Sequence, residues 1–238
     1  MSVPTHLFFD LLAYVTGGLL TWCLATRFLR GIPHPVPSNL RWSYAFVVLN
    51  GVIIGSFLIG TIPFLQPGEN HELLGKSILG AIVGGIAAAE IFKIAMKIRG
   101  STGMAFVPGL AAGIFVGRWG CFFTGLPDNT YGTVTTLPWG VDFGDGLLRH
   151  PVQLYEGFTM LAFLIIYLIF LFRRHPFVLR SGFYIFCIVY GTQRFLWEFL
   201  KPYPHLIGPL GAFQLFCLGL VLYGTAMILF YGDRRRHA

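Results

Sequence analysis

Arg118 and Arg194 each interrupt a long apolar run, in Gly117-Arg118-Trp119-Gly120-Cys121-Phe122-Phe123 and Tyr190-Gly191-Thr192-Gln193-Arg194-Phe195. A charged side chain at the centre of a membrane helix costs at least about 2.5 kcal/mol, so a chain keeps one there for a task. A guanidinium offers five N–H donors in a planar fork, which matches phosphate and carboxylate geometry. Arg118 has no acid three or four residues away, so its partner must come from another element or from a ligand. Arg194 has Glu198 one turn further on, at the spacing of a helical ion pair. Lys76, Arg149, His150 and Glu156 stand near the ends of other apolar runs. Cations of this kind would hold a phosphate and stabilise it as a leaving group, while His150, Glu156 or Glu198 could take a proton.

The elements that must position these groups are membrane helices. Of 238 residues, 55% are hydrophobic and only 11% charged, against about 25% charged in a soluble domain. Seven apolar segments are long enough to cross about 30 Å of hydrocarbon. They run over Leu7–Phe28, Trp42–Leu65, Leu74–Met96, Gly103–Phe123, Val152–Phe172, Ser181–Leu200 and Gly211–Tyr231. Residues 1–6 carry no Lys or Arg, so the first run reads as a retained helix and not as a signal peptide. The fold expected is all-α, one transmembrane domain over 1–238, with an ordered outer loop over about 124–151.

Charge sets the orientation. Arg27, Arg30, Arg41, Lys93, Lys97, Arg99, Arg173, Arg174, Arg180, Arg234, Arg235 and Arg236 fall on alternate loops or helix ends, all on one side. The opposite side has Lys76, Arg149 and Lys201, and the acids Glu69, Glu72, Asp128, Asp142 and Asp145. The positive-inside rule then predicts an external N-terminus and a cytoplasmic C-terminus. On that topology Lys76, Arg118, Arg149, His150, Glu156, Arg194 and Glu198 share the outer third of the membrane. The net charge of +7 belongs to this asymmetry and does not call for nucleic acid. Glu90 and Lys93, deeper at i and i+3, read as a structural pair.

Other features have plain readings. Gly80 and Gly84, and then Gly109, Gly113, Gly117, Cys121 and Gly125, recur every fourth residue and give smooth faces for close helix approach. Cys23, Cys187 and Cys217 are small core residues; Cys121 differs by lying beside Arg118, and no CxxC pair or disulfide framework is present. Trp119, Tyr131, Trp139, Tyr155, Tyr190 and Trp197 suit an interfacial aromatic belt.

The blocks Gly117-Arg118-Trp119-Gly120-Cys121-Phe122, Tyr131-Gly132, Trp139-Gly140-Val141, Arg149-His150-Pro151-Val152-Gln153-Leu154-Tyr155-Glu156 and Tyr190-Gly191 with Arg194-Phe195 and Glu198-Phe199 resemble, in order and spacing, the prolipoprotein diacylglyceryl transferase family. The resemblance implies transfer of a diacylglyceryl group from phosphatidylglycerol, or another anionic phospholipid, to the lipobox cysteine of a secreted precursor, with glycerol phosphate leaving. It implies a multi-pass protein of the bacterial cytoplasmic membrane with its site towards the outer leaflet, and no metal or diffusible cofactor. Arg118 and Arg194 match the head-group arginines, with Lys76, Arg149, Gly132 and Tyr190 as further substrate-binding positions. His150, Glu156 and Glu198 are the candidates for catalytic proton transfer.

There are departures. The family's His-Gly-Gly, whose histidine is thought to act as base, corresponds to Gly75-Lys76-Ser77-Ile78-Leu79-Gly80-Ala81 here, and Cys121 stands where an asparagine is common. The missing histidine leaves open a relative with another acceptor, or a non-catalytic phospholipid-binding or transport protein of the same fold.

Overall fold

A computed structural model describes residues 2–32, 34–62 and 75–233. Among the described residues seven α-helices follow in order: α1 (Ser2–Arg27), α2 (Arg41–Thr61), α3 (Ile78–Ala95), α4 (Val107–Thr124), α5 (Val152–Phe172), α6 (Pro176–Glu198) and α7 (Ala212–Asp233). Six are long and apolar enough to cross a membrane. The seventh, α6, falls short because it carries Arg180, Arg194 and Glu198. The expected all-α class and the seven segments therefore hold. The expected ends at Leu65 and Leu74, and Glu69, Glu72 and Arg234 to Arg236, lie outside the described residues.

Local chemistry fixes the ends. The third helix begins at Ile78, four residues later than the apolar run suggested, because Ser77 is its N-cap and accepts the Gly80 N–H at 3.3 Å. The sixth begins five residues earlier, at Pro176, where a proline at the first turn leaves no hydrogen bond unmade. The fourth stops at Gly125, whose φ of +71° no other residue adopts freely.

Helices pack as α1 on α4, α2 on α3, α4 on α5, α5 on α6 and α6 on α7. Leu79, Val107, Ala111, Met160, Phe186 and Cys187 form the buried core between them. The small-residue faces do what their spacing suggested. A side chain at Gly84 would meet the Gly55 Cα at 2.8 Å, and one at Gly109 would meet the Gly17 carbonyl. Leu7, Phe8, Leu11, Val15, Leu19 and Trp22 of α1, with Trp42, Phe46, Leu49 and Ile53 of α2, are exposed, as a lipid-facing surface requires.

The α4–α5 loop is ordered by hydrogen bonds. A short antiparallel ribbon pairs β1 (Val141–Asp142) with β2 (Leu148–Arg149). Asp142 closes its turn by accepting the N–H groups of Gly144 and Gly146 at 2.7 and 3.0 Å. The Gly132 N–H donates to the His150 carbonyl at 3.0 Å and the Thr133 N–H to the Leu200 carbonyl at 2.6 Å. Those bonds tie the loop to the start of α5 and the end of α6, which carry the charged residues of interest.

Candidate active site

The arginines share one acid. Glu156, fully buried a turn into α5, pairs through one carboxylate oxygen with Arg118 Nη2 at 2.5 Å. Its other oxygen pairs with Arg194 Nη1 at 2.5 Å and with Lys201 Nζ at 2.7 Å. Glu198 completes the group, with Arg194 Nε at 3.3 Å and Lys201 Nζ at 3.8 Å. All five residues are buried. Three cations stand against two carboxylates, so this core keeps one positive charge. Taking such charges out of water is tolerable only when each is paired, and the surplus charge is suited to an anion of single negative charge.

Uncharged polar groups are buried on the same helices. Among the described residues, the Gln153 and Gln193 amides and the Tyr190 hydroxyl have no hydrogen-bond partner. Gln153 lies one turn before Glu156 and Gln193 beside Arg194, and Tyr190 is within electrostatic reach of both arginines. Buried polar groups left this way are costly unless something binds them.

Arg118 also joins a second cluster. Its Nη1 lies 3.8 Å from Cys121 Sγ, which is 3.9 Å from His6 Nε2. His6 sits near the start of α1, with Nδ1 3.0 Å from Asp10 and Nε2 2.9 Å from Asp128. The Thr130 hydroxyl donates to Asp128. Burial by itself would raise the Asp128 carboxyl, but the hydrogen bonds from His6 and Thr130 outweigh it and hold it below the usual carboxylate value.

Four of the residues singled out by type and depth, Arg118, Glu156, Arg194 and Glu198, therefore converge. Others stand apart. Arg149 pairs with Asp145 through Nε and Nη2 at 2.9 and 2.6 Å and stacks over Tyr131, outside the ion-pair core. Lys76 lies over the Phe57 ring at 5.8 Å. His150 Nδ1 is 3.4 Å from the Tyr155 hydroxyl. Gly132 is needed where it is because a side chain would strike Val152 at 2.7 Å. Tyr190 stacks on Phe186. Lys201 looks like a loop cation in the sequence, and its spacing of three from Glu198 is the one signal that ties it to the end of α6. His6 and Asp128 gave no local signal, since 122 residues of chain separate them.

A model of the family described as prolipoprotein diacylglyceryl transferase matches residues 11–230. The chain belongs to the prolipoprotein diacylglyceryl transferase family. Relatives named phosphatidylglycerol–prolipoprotein diacylglyceryl transferase agree across the same span. That of Teredinibacter turnerae is 31% identical, covering 94% of this chain and 82% of the relative. That of Methylococcus capsulatus is 30% identical over 91% and 88% of the two chains. The Wolbachia pipientis protein is 29% identical over 95% and 91%. No solved structure matches. Membership of this transferase family gives the ion-pair core a chemical context, and it sets off His6 and Asp10, which precede the matched stretch.

Proposed function

We propose that the chain transfers a diacylglyceryl group from phosphatidylglycerol to the thiol of a lipobox cysteine in a secreted precursor, releasing glycerol phosphate, at the outer face of the bacterial cytoplasmic membrane. The observation that carries this is the surplus positive charge of the Arg118–Glu156–Arg194–Glu198–Lys201 core. A phosphodiester neutralises it, and the charge that builds on the departing phosphate strengthens the same contacts. Interactions that grow along the reaction coordinate lower the barrier. The unsatisfied Gln153, Gln193 and Tyr190 groups supply further donors.

The side chains expected to take a proton read differently in this setting. Glu156 is held by three cations and Glu198 by two, so both act as counter-ions that aim the cations. His150 is a strut of the α4–α5 loop, bonded to Tyr155. We assign Arg118 and Arg194 to the phosphate, and Lys201 to neutralising the acids so that both arginines keep donors free. Lys76, Arg149 and Gly132 then shape the approach to the site.

Purified protein incubated with phosphatidylglycerol and a lipobox peptide tests the reading by mass spectrometry. The peptide should gain the diacylglyceryl mass, and Arg118→Ala should lower the rate at least 100-fold. An unmodified peptide with the wild-type protein, its phospholipid still bound and intact, would replace transfer by binding alone.

A further inference from the structure

We propose that His6, Cys121 and Asp128 form a zinc site that binds and activates the acceptor thiol beside the phosphate-holding arginines.

The three ligand atoms come from α1, α4 and the loop after α4, and all lie within 4.8 Å of one another. Imidazole nitrogen, thiolate sulfur and carboxylate oxygen are the ligand types zinc takes, and three protein ligands with one open position mark its reactive sites. Tetrahedral zinc with ordinary bond lengths separates N from O by roughly 3.3 Å and N from S by roughly 3.6 Å. Here His6 Nε2 is 2.9 Å from Asp128 Oδ1 and 3.9 Å from Cys121 Sγ. Shifts of a few tenths of an ångström would seat the ion.

The surroundings fit as well. His6 Nδ1 lies 3.0 Å from Asp10, and a neutral His6 that gives its Nδ1–H to that carboxylate presents its Nε2 lone pair to Asp128 and Cys121. At 2.9 Å either a proton or a metal ion lies between Nε2 and Asp128 Oδ1. Thr130 orients Asp128, and Arg118 donates towards the Cys121 sulfur. Each ligand thus has its own orienting partner, the arrangement that tunes metal sites. One neutral imidazole with the carboxylates of Asp10 and Asp128 and the Cys121 thiolate leaves three negative charges, of which a divalent ion cancels two.

This rests on the transferase reading and answers its open step. A thiol must lose its proton, and the stretch Gly75–Ala81, which corresponds to the family's His-Gly-Gly, has no histidine; its Leu79 is fully buried. Zinc deprotonates a bound thiol outright. The acceptor coordinates at the open position and its proton passes to the water it displaces. Its sulfur lone pair then forms the S–C bond at the glycerol carbon. The C–O bond breaks, and its electron pair leaves on the phosphate oxygen held by Arg118 and Arg194. Arg118 touches both halves, so the two reactants meet at one guanidinium.

The test reads metal before activity, so its failure is separate from failure of transfer. Chelator-stripped full-length protein is titrated with Co(II) alone and, separately, with Zn(II). One ion per chain, tetrahedral Co(II) bands and a sulfur-to-metal charge-transfer band are expected. Cys121→Ser should abolish the charge-transfer band, and Asp10→Asn should weaken zinc binding about 10–100-fold. Zinc should raise the melting temperature of the wild type but not of Cys121→Ser, which covers the case of a poorly folded variant. A lipobox peptide should add a second sulfur band to the Co(II) protein. Sub-stoichiometric binding, or binding indifferent to Cys121→Ser, overturns the site, leaving His6 as an imidazolium paired with two aspartates. A stoichiometric site blind to the peptide overturns the thiol role.

Discussion

Glu156 is the residue on which the charged core depends. Both its oxygens are used, and three cations lose their shared partner if it goes. An ion pair this deep is costly to bury and costlier to break, since removal of one member strands the other without water. Glu156→Gln is expected to destabilise the protein by about 3–5 kcal/mol, the range for breaking a buried pair. It should also fail to bind phosphatidylglycerol productively, because the unmatched guanidiniums repel and turn from the phosphate position. Thermal unfolding in micelles measures the first effect and lipid-peptide transfer the second. A melting temperature equal to wild type would mean that the carboxylate is a spectator. The same residue shows what sequence can reveal at this scale. Types and depths picked out Arg118, Arg194, Glu156 and Glu198, but the hub could not be identified, because Glu156 and Arg194 are 38 residues apart and meet only through helix packing. Its type and depth suit a base, but three cations on its oxygens make Glu156 a poor one.

Helices were legible because the bilayer imposes their length and composition. The ends were missed where one residue decides them: the Ser77 cap shortened α3, and Pro176 allowed α6 to start before its apolar stretch. The glycine stripes were legible as contact faces, but not their partners. α2 supplies Gly51, Gly55 and Gly60 against Gly80, Gly84 and the chain at Gly75, while α1 meets α4 at Gly17 and Gly109. Lipid tails are as apolar as the helices, so close backbone contact does much of the joining. That gives a contrast of sign between two glycine-to-alanine changes. At Gly18 nothing lies within 4 Å of an added Cβ, and alanine's better helix propensity should stabilise by about 0.5–1 kcal/mol. At Gly84 the same methyl meets the backbone of Gly51 and Gly55, and overpacking should cost about 1–3 kcal/mol. Parallel unfolding curves of Gly18→Ala and Gly84→Ala decide the matter. Equal shifts would show that the α2–α3 interface yields freely.

At the scale of the whole molecule, the charged core and the His6 cluster lie at one end of the bundle. The start of α1, the end of α4, the start of α5 and the end of α6 bring them together. Arg174 reaches the Phe28 carbonyl across the opposite end, where α1 and α5 finish. The basic loops gather at that second end, and the positive-inside rule predicts that this end faces the cytoplasm. Orientation then matters for chemistry: a precursor thiol that has crossed the membrane can reach only the first end. Impermeant maleimide on intact cells tests this with two exposed positions, Thr136 in the α4–α5 loop and His175 between α5 and α6. Thr136→Cys should label above the wild-type background from outside, and His175→Cys only after the cells are permeabilised. The reverse pattern would place the arginines at the cytoplasmic face. The core could still hold a phosphate there, but a secreted acceptor would be out of reach, and the substrate would have to be a cytoplasmic thiol.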